Sequence, residues 1–143
     1  MQWEHTVEVE APVARVWELT VDIDQWPTFL PTVQSVRRLA AGPLRVGSAA
    51  RLKQPGQPPT VWTVTELEPP FRFGWRASRP GLTMVATHLL EAAGAGCRLT
   101  LTLEATGAVA RLAGPLIGRQ VRRSLAQEAA GFQRAAEHRP VAG

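Results

Sequence analysis

Trp3, His5, Val7 and Val9 alternate with Glu4, Thr6, Glu8 and Glu10 at the start of the chain. Period-two alternation of this kind predicts a half-buried strand with an acidic outer face. Ala11-Pro12 ends it, and Pro12 suits the first position of a helix, which Val13, Val16, Trp17 and Thr20 then mark as short and amphipathic. Gln25-Trp26-Pro27-Thr28-Phe29-Leu30-Pro31 predicts a second helical turn bounded by prolines, and Val33–Leu39 a strand stopped at Gly42-Pro43. Five further strand patterns follow, over Ser48–Gln54, Thr60–Leu67, Phe71–Ser78, Leu82–Glu91 and Arg98–Thr106. They are separated by Pro55-Gly56-Gln57-Pro58-Pro59, Glu68-Pro69-Pro70, Arg79-Pro80-Gly81 and Ala92–Gly96, all strong breakers. Phe71, Phe73 and Trp75 share one face of the third of these strands.

The period changes to 3.6 in Ala108–Arg139, the longest segment with helical spacing. A helix of about 25 residues spans roughly 38 Å, enough to cross a small sheet. Val121, Leu125, Phe132 and Ala136 form its later apolar stripe, whereas Val109, Leu112, Ala113 and Leu116 form an earlier one on a different side. The change of phase falls at Gly114-Pro115 to Gly118, where a kink, or a short helix followed by a long one, is expected. On this reading the Val109–Leu116 part closes one end of the sheet and Ile117–Ala136 lies along its concave face. Arg119, Arg122, Arg123 and Arg134 fall away from the later stripe and read as a solvated face, with contact to an anionic membrane surface as the lesser alternative.

Strand, two short helices, about six strands and one long helix make an α+β protein, a curved antiparallel sheet of about seven strands around the C-terminal helix. Register follows from the turns. Pairing Leu82–Glu91 with its two neighbours about the turns sets His88 opposite Leu101 and Phe73, and Ala86 opposite Leu103 and Trp75. Opposed residues share a face, so His88 looks toward the helix. A one-residue slip in both hairpins would reverse this.

His88 is therefore either a general acid/base or binding residue, given its titration near neutral pH, or a core histidine hydrogen-bonded to a neighbour. Glu128 falls inside the later apolar stripe, between Leu125 and Phe132. A carboxylate there pairs with an Arg or His, faces a ligand, or reaches water at the helix edge. Trp26, Trp62 and Trp75 either line an apolar pocket or pack as core. Ala50, Leu52 and Gln54 share a face of their strand, and Gln54, beside Pro55, either serves the turn or touches a ligand.

At 143 residues with 45% hydrophobic and 20% charged content, the chain reads as one globular domain over 1–143. No apolar stretch approaches the roughly 20 residues of a membrane span, so no stable membrane insertion is expected. No signal peptide pattern opens the chain. One cysteine, Cys97, forms no internal disulfide and reads as structural; a reducing cytoplasm fits. Net charge is +4, but the arginines are scattered and not interleaved with aromatics, which argues against nucleic acid. His5, His88 and His138 lie on separate elements, arguing against a histidine metal site. Dinucleotide, phosphate-loop, zincin and nucleophile-elbow motifs are all missing, and no cofactor is expected.

Several stretches together resemble the START/pollen-allergen (SRPBCC, helix-grip) superfamily, in its polyketide cyclase/dehydrase-like branch. They are Val9-Glu10-Ala11-Pro12-Val13-Ala14-Arg15-Val16-Trp17, Asp22-Ile23-Asp24-Gln25-Trp26-Pro27 and Pro43-Leu44-Arg45-Val46-Gly47. Further along come Val61-Trp62-Thr63-Val64-Thr65-Glu66, Phe73-Gly74-Trp75, His88-Leu89-Leu90-Glu91 and Glu128–Glu137. The resemblance implies a bent sheet gripping the last helix, with an apolar cavity between them lined by Trp26, Trp62, Trp75, Met84, His88, Leu101, Val121, Leu125 and Glu128. It implies binding of a small hydrophobic lipid, polyketide or aromatic molecule, by a monomer or homodimer. The alternative it implies is a polyketide cyclase or dehydratase using a few polar cavity residues, for which His88 and Glu128 are the candidates. Cyclases of that branch orient and enolise a poly-β-ketone, but the chain has no Tyr to match to that pattern.

Overall fold

The computed structural model describes residues 1–138. β1 (Gln2–Val9) leads into α1 (Val13–Val21), a single 3₁₀ turn (Ile23–Gln25) and α2 (Trp26–Phe29). Six strands follow: β2 (Ser35–Arg38), β3 (Ala49–Lys53), β4 (Thr60–Glu68), β5 (Arg72–Arg79), β6 (Leu82–Ala93) and β7 (Gly96–Thr106). α3 (Ala108–Glu137) completes the chain; the expected extension of this helix to Arg139 lies outside the described residues. All neighbours are antiparallel, in the order β1-β7-β6-β5-β4-β3-β2. β1 crosses to pair with β7, which closes the sheet's far side around the helix. The fold is the expected α+β helix grip, with seven strands.

Both hairpin registers are as the turns implied: His88 opposes Phe73 and Leu101, and Ala86 opposes Trp75 and Leu103. Alternation then fixes the concave face, because side chains two apart share it. It carries Trp3, His5, Val7 and Val9 from β1 and Leu99, Leu101 and Leu103 from β7. From β6 come Met84, Ala86, His88 and Leu90, from β5 Phe73, Trp75 and Ala77, and from β4 Trp62 and Val64. Phe71 departs from the sequence reading. It precedes β5, its N–H donates to Glu68 O across the turn (2.8 Å), and its ring is exposed.

α3 is one helix through Pro115, so the expected division at Gly114–Gly118 into a short helix and a long one does not occur. Pro115 removes only the bond to the Arg111 carbonyl, and both residues are exposed, so water can serve that carbonyl. The first half of α3 is also turned over relative to expectation. Ala110, Gly114 and Gly118 are buried, whereas Val109, Leu112 and Leu116 point to solvent. Continuity forces this. An unbroken helix has one inner line, and the line that buries Leu125, Ala129 and Phe132 runs back through Gly118, Gly114 and Ala110.

Glycines hold the helix close at both ends. Gly107 adopts φ +106° directly before α3, and a Cβ there would strike the Gly81 carbonyl. That same carbonyl accepts the Val109 N–H (2.9 Å), so the β5–β6 turn anchors the helix start. At the other end, a Cβ on Gly131 would stand 2.6 Å from Leu30 Cδ2 and 2.8 Å from the Phe29 carbonyl. Gly131→Ala is expected to push α2 off α3 and destabilise the fold by about 1–3 kcal/mol, as overpacking does, despite alanine's better helix propensity. Urea denaturation measures this; a stabilised variant would mean that α2 yields freely.

Among the described residues, no helix is long and apolar enough to cross a membrane.

Candidate functional site

α2 is a single turn, yet it delivers the indole that stacks on the site's histidine. Trp26 Nε1 donates to the Leu19 carbonyl of α1 (3.0 Å), which fixes the indole over the sheet. Its ring stacks on His88 of β6, with centroids 5.6 Å apart and planes inclined by 27°. Phe73 and Phe132 meet the same imidazole edge-on, each at 5.4 Å. His88 therefore stands in an aromatic box built from β5, β6, α2 and α3, and is 3% exposed. The aromatic wall continues from Trp26 to Trp75 (5.2 Å) and from Trp75 to Trp62 (5.7 Å).

Glu128 lies one turn before Phe132 on α3, and its Oε1 is 3.6 Å from His88 Nε2. That distance is beyond a good hydrogen bond. The carboxylate side chain retains 17% exposure against 4% for the imidazole, so water reaches the pair from the Glu128 side. Burial lowers the His88 pKa to about 3 and raises that of Glu128 to about 7. Removing charge from water outweighs the attraction between the partners. Near neutral pH the imidazole is uncharged and the carboxyl is close to half protonated.

Among the described residues, three buried polar atoms have no protein partner: His88 Nδ1, Trp62 Nε1 and Thr32 Oγ1. An unpartnered buried donor or acceptor costs about 1–3 kcal/mol unless a water or other polar atom satisfies it. Burial also falls off along the inner face of β6. His88 and Leu90 are buried, but Ala86, Met84 and Leu82, in line with them, are only half-buried. Leu103 of β7 and Val121 of α3 are half-buried as well. The sheet–helix space is thus filled by rings at the His88 end and looser toward Met84.

The structure brings together Trp26, His88 and Glu128, with Leu101 opposite His88 and Trp75 and Trp62 further along the wall. Met84 lies on the looser stretch, and Val121 and Leu125 face the sheet from α3. Gln54 takes part in none of these contacts. It sits in the turn after β3, where its carbonyl accepts the Gln57 N–H (3.2 Å) and Lys53 Nζ (2.9 Å). Sequence reasoning missed Thr32, which follows Pro31 in an aperiodic stretch, and the role of Phe132 as a wall of the His88 box. The helical stripe showed Phe132 as apolar and inward but not what it touches. Cys97 is buried, and burial raises its thiol pKa.

Known proteins share this architecture. The Zhui aromatase/cyclase from Streptomyces sp. R1128 matches at 23% identity with a TM-score of 0.79, over 100% of this chain and 98% of that one. The di-domain aromatase/cyclase BexL from the BE-7585A biosynthetic pathway matches at 19% identity and TM-score 0.76, over 98% of this chain and 51% of that one. A protein from Thermus thermophilus matches at 17% identity and TM-score 0.76, over 95% of this chain and 97% of that one. At these identities the likeness is one of fold. Comparison with curated protein sequences yields no match. A model of the family described as polyketide cyclase / dehydrase and lipid transport matches residues 2–137, nearly the whole length, and the chain belongs to that family.

Proposed function

We propose that the protein binds a small, mostly apolar molecule between the sheet and α3. The ligand enters from the looser stretch near Met84, and the aromatic wall of Trp26, Trp75 and Trp62 packs against its rings or chain. His88 reads a polar group on it once the rings that fill the His88 end move aside. The observation that carries this reading is His88 Nδ1, buried in an aromatic box without a partner. A neutral imidazole offers one donor and one acceptor, so a carbonyl or hydroxyl on the ligand suits it. Sites of this kind are mostly apolar with a few placed polar groups. A panel of aromatic polyketides, flavonoids and fatty acids in a thermal-shift assay tests it. A ligand at one hundred times its Kd adds about 2.7 kcal/mol, which raises Tm by about 8–10 °C for a domain of this size. A panel in which no compound moves Tm would count against the reading.

A second reading makes the same space catalytic, as in a cyclase or dehydratase. What favours it is a carboxyl with a pKa of about 7 standing 3.6 Å from a neutral imidazole. Such a pair can take a proton from a carbon next to a carbonyl and return one to oxygen. Under this reading, Glu128→Gln and His88→Gln each remove turnover while ligand-induced stabilisation remains. Equal loss of rate and affinity leaves binding as the function.

A further inference from the structure

The outward side of α3 carries chemistry that neither reading uses. Leu112, Leu116, Arg119 and Arg123 follow at intervals of four, three and four residues and therefore form one row along the helix. Leu112 is 80% and Leu116 85% exposed, flanked by Val109 and Ile117, both exposed. Each leucine stands up from a helix that turns its small residues, Ala110, Gly114 and Gly118, to the sheet. From Ala105 to Gln127 the chain holds four arginines and no acidic residue. Among the described residues, none of Arg111, Arg119, Arg122 and Arg123 forms an ion pair.

Beside the leucine row is a surface hollow of about 530 Å³, bordered by Trp3, Leu116, Arg119 and Arg122. Gly118 opens it. A Cβ there would stand 3.3 Å from Trp3 Nε1 and 3.6 Å from Arg122 Nη1, so the indole N–H and a guanidinium converge where a side chain is missing. The patch thus joins a protruding apolar ridge to a cluster of cationic and neutral donors.

From this we infer that the N-terminal half of α3 docks the protein reversibly on an anionic phospholipid surface. Leu112 and Leu116 enter the boundary between headgroups and acyl chains. Arg119 and Arg122, with the Trp3 indole, take a lipid phosphate in the hollow. Charge complementarity favours this occupant: an uncompensated arginine cluster beside exposed leucines is the pattern of a helix lying in a membrane interface. A narrow ridge standing clear of its helix suits a penetrable bilayer better than a flat, preformed protein surface.

The test is cosedimentation of the full chain with phosphatidylcholine vesicles, with and without phosphatidylglycerol, at low and high salt. The wild type is expected to sediment with the anionic vesicles only, and high salt to release it. Leu112→Ser/Leu116→Ser and Arg119→Gln/Arg122→Gln are each expected to weaken binding by about tenfold or more. Their melting temperatures should match the wild type, since the altered side chains are exposed. The inference is overturned if the wild type ignores anionic vesicles, in which case the ridge is left for an acidic protein. It is equally overturned if neutral vesicles bind as well, or if both double variants sediment like the wild type.

Discussion

Phe132→Ala is expected to destabilise the protein by about 3–5 kcal/mol, the range for a fully buried aromatic truncated to a methyl group. For a chain of this length that lowers Tm by about 10–20 °C. Phe132 is completely buried and meets Trp26 at 5.8 Å, Phe29 at 5.3 Å and His88 at 5.4 Å, all edge-on. The rings come from α2 and β6, so truncation leaves a cavity at a joint between elements where collapse is hindered. A second readout separates this role from generic packing. Phe132 is one wall of the desolvating box, so its removal should let water reach His88 and raise the imidazole pKa from about 3 toward the ordinary range. NMR titration of the His88 ring measures this. A mutant that melts low but keeps a fully depressed His88 would show that Phe132 does not seal the box.

Opposite pH dependences should appear when either partner of the buried pair is removed. Glu128 has a folded pKa of about 7 against 4.5 as an ordinary carboxyl, so between those values the native state holds a proton that the unfolded state has lost. Its contribution to stability is therefore present at pH 4.5 and fades as pH rises toward 7. His88 has a folded pKa of about 3 against 6.5, so between those values the unfolded state binds the extra proton. Its contribution is present above pH 6.5 and is lost on acidification. From pH 4.5 to 6.5 the two slopes oppose, each at most about 1.4 kcal/mol per pH unit, and the wild type should be nearly flat.

In Glu128→Gln the histidine acts alone, and stability should fall by up to about 3 kcal/mol from pH 6.5 to 4.5. In His88→Gln the carboxyl acts alone, and stability should rise over the same interval. Urea denaturation midpoints at several pH values read both. Parallel curves for the wild type and the two variants would mean that these groups are solvated in solution, and the case for a poised proton site would go with them.

Strand and helix positions were legible because each β-strand buries one face and its residues alternate accordingly. The turns added more. Pro80-Gly81 and Ala92–Gly96 set both hairpin registers, and those registers alone placed His88 on the concave side opposite Phe73 and Leu101. Glu128 was legible for a related reason, as a charge inside an apolar stripe. Pairwise local geometry was enough to point at both residues.

Other features depended on what lies across the fold. That His88 and Glu128 approach to 3.6 Å depends on how far α3 sits above β6, which no local pattern records. Gln54 shared a face with Leu52 by alternation, but its strand ends at Lys53, and the turn takes its carbonyl. Thr32 gave no periodic signal because it belongs to an irregular segment. Phase misled most at the start of α3, where Leu112 and Leu116 were expected inside. Hydrophobicity says that a residue gains from burial, but a rigid helix has one inner line, and the line through Leu125 and Phe132 prevailed. The sequence by itself determined the helix grip, the inward histidine and the anomalous carboxylate, all consequences of short-range periodicity. Tertiary structure decided which side of α3 meets the sheet, and so placed glycines inside and leucines in solvent, because one unbroken helix has a single inner line and Leu125, Ala129 and Phe132 set it.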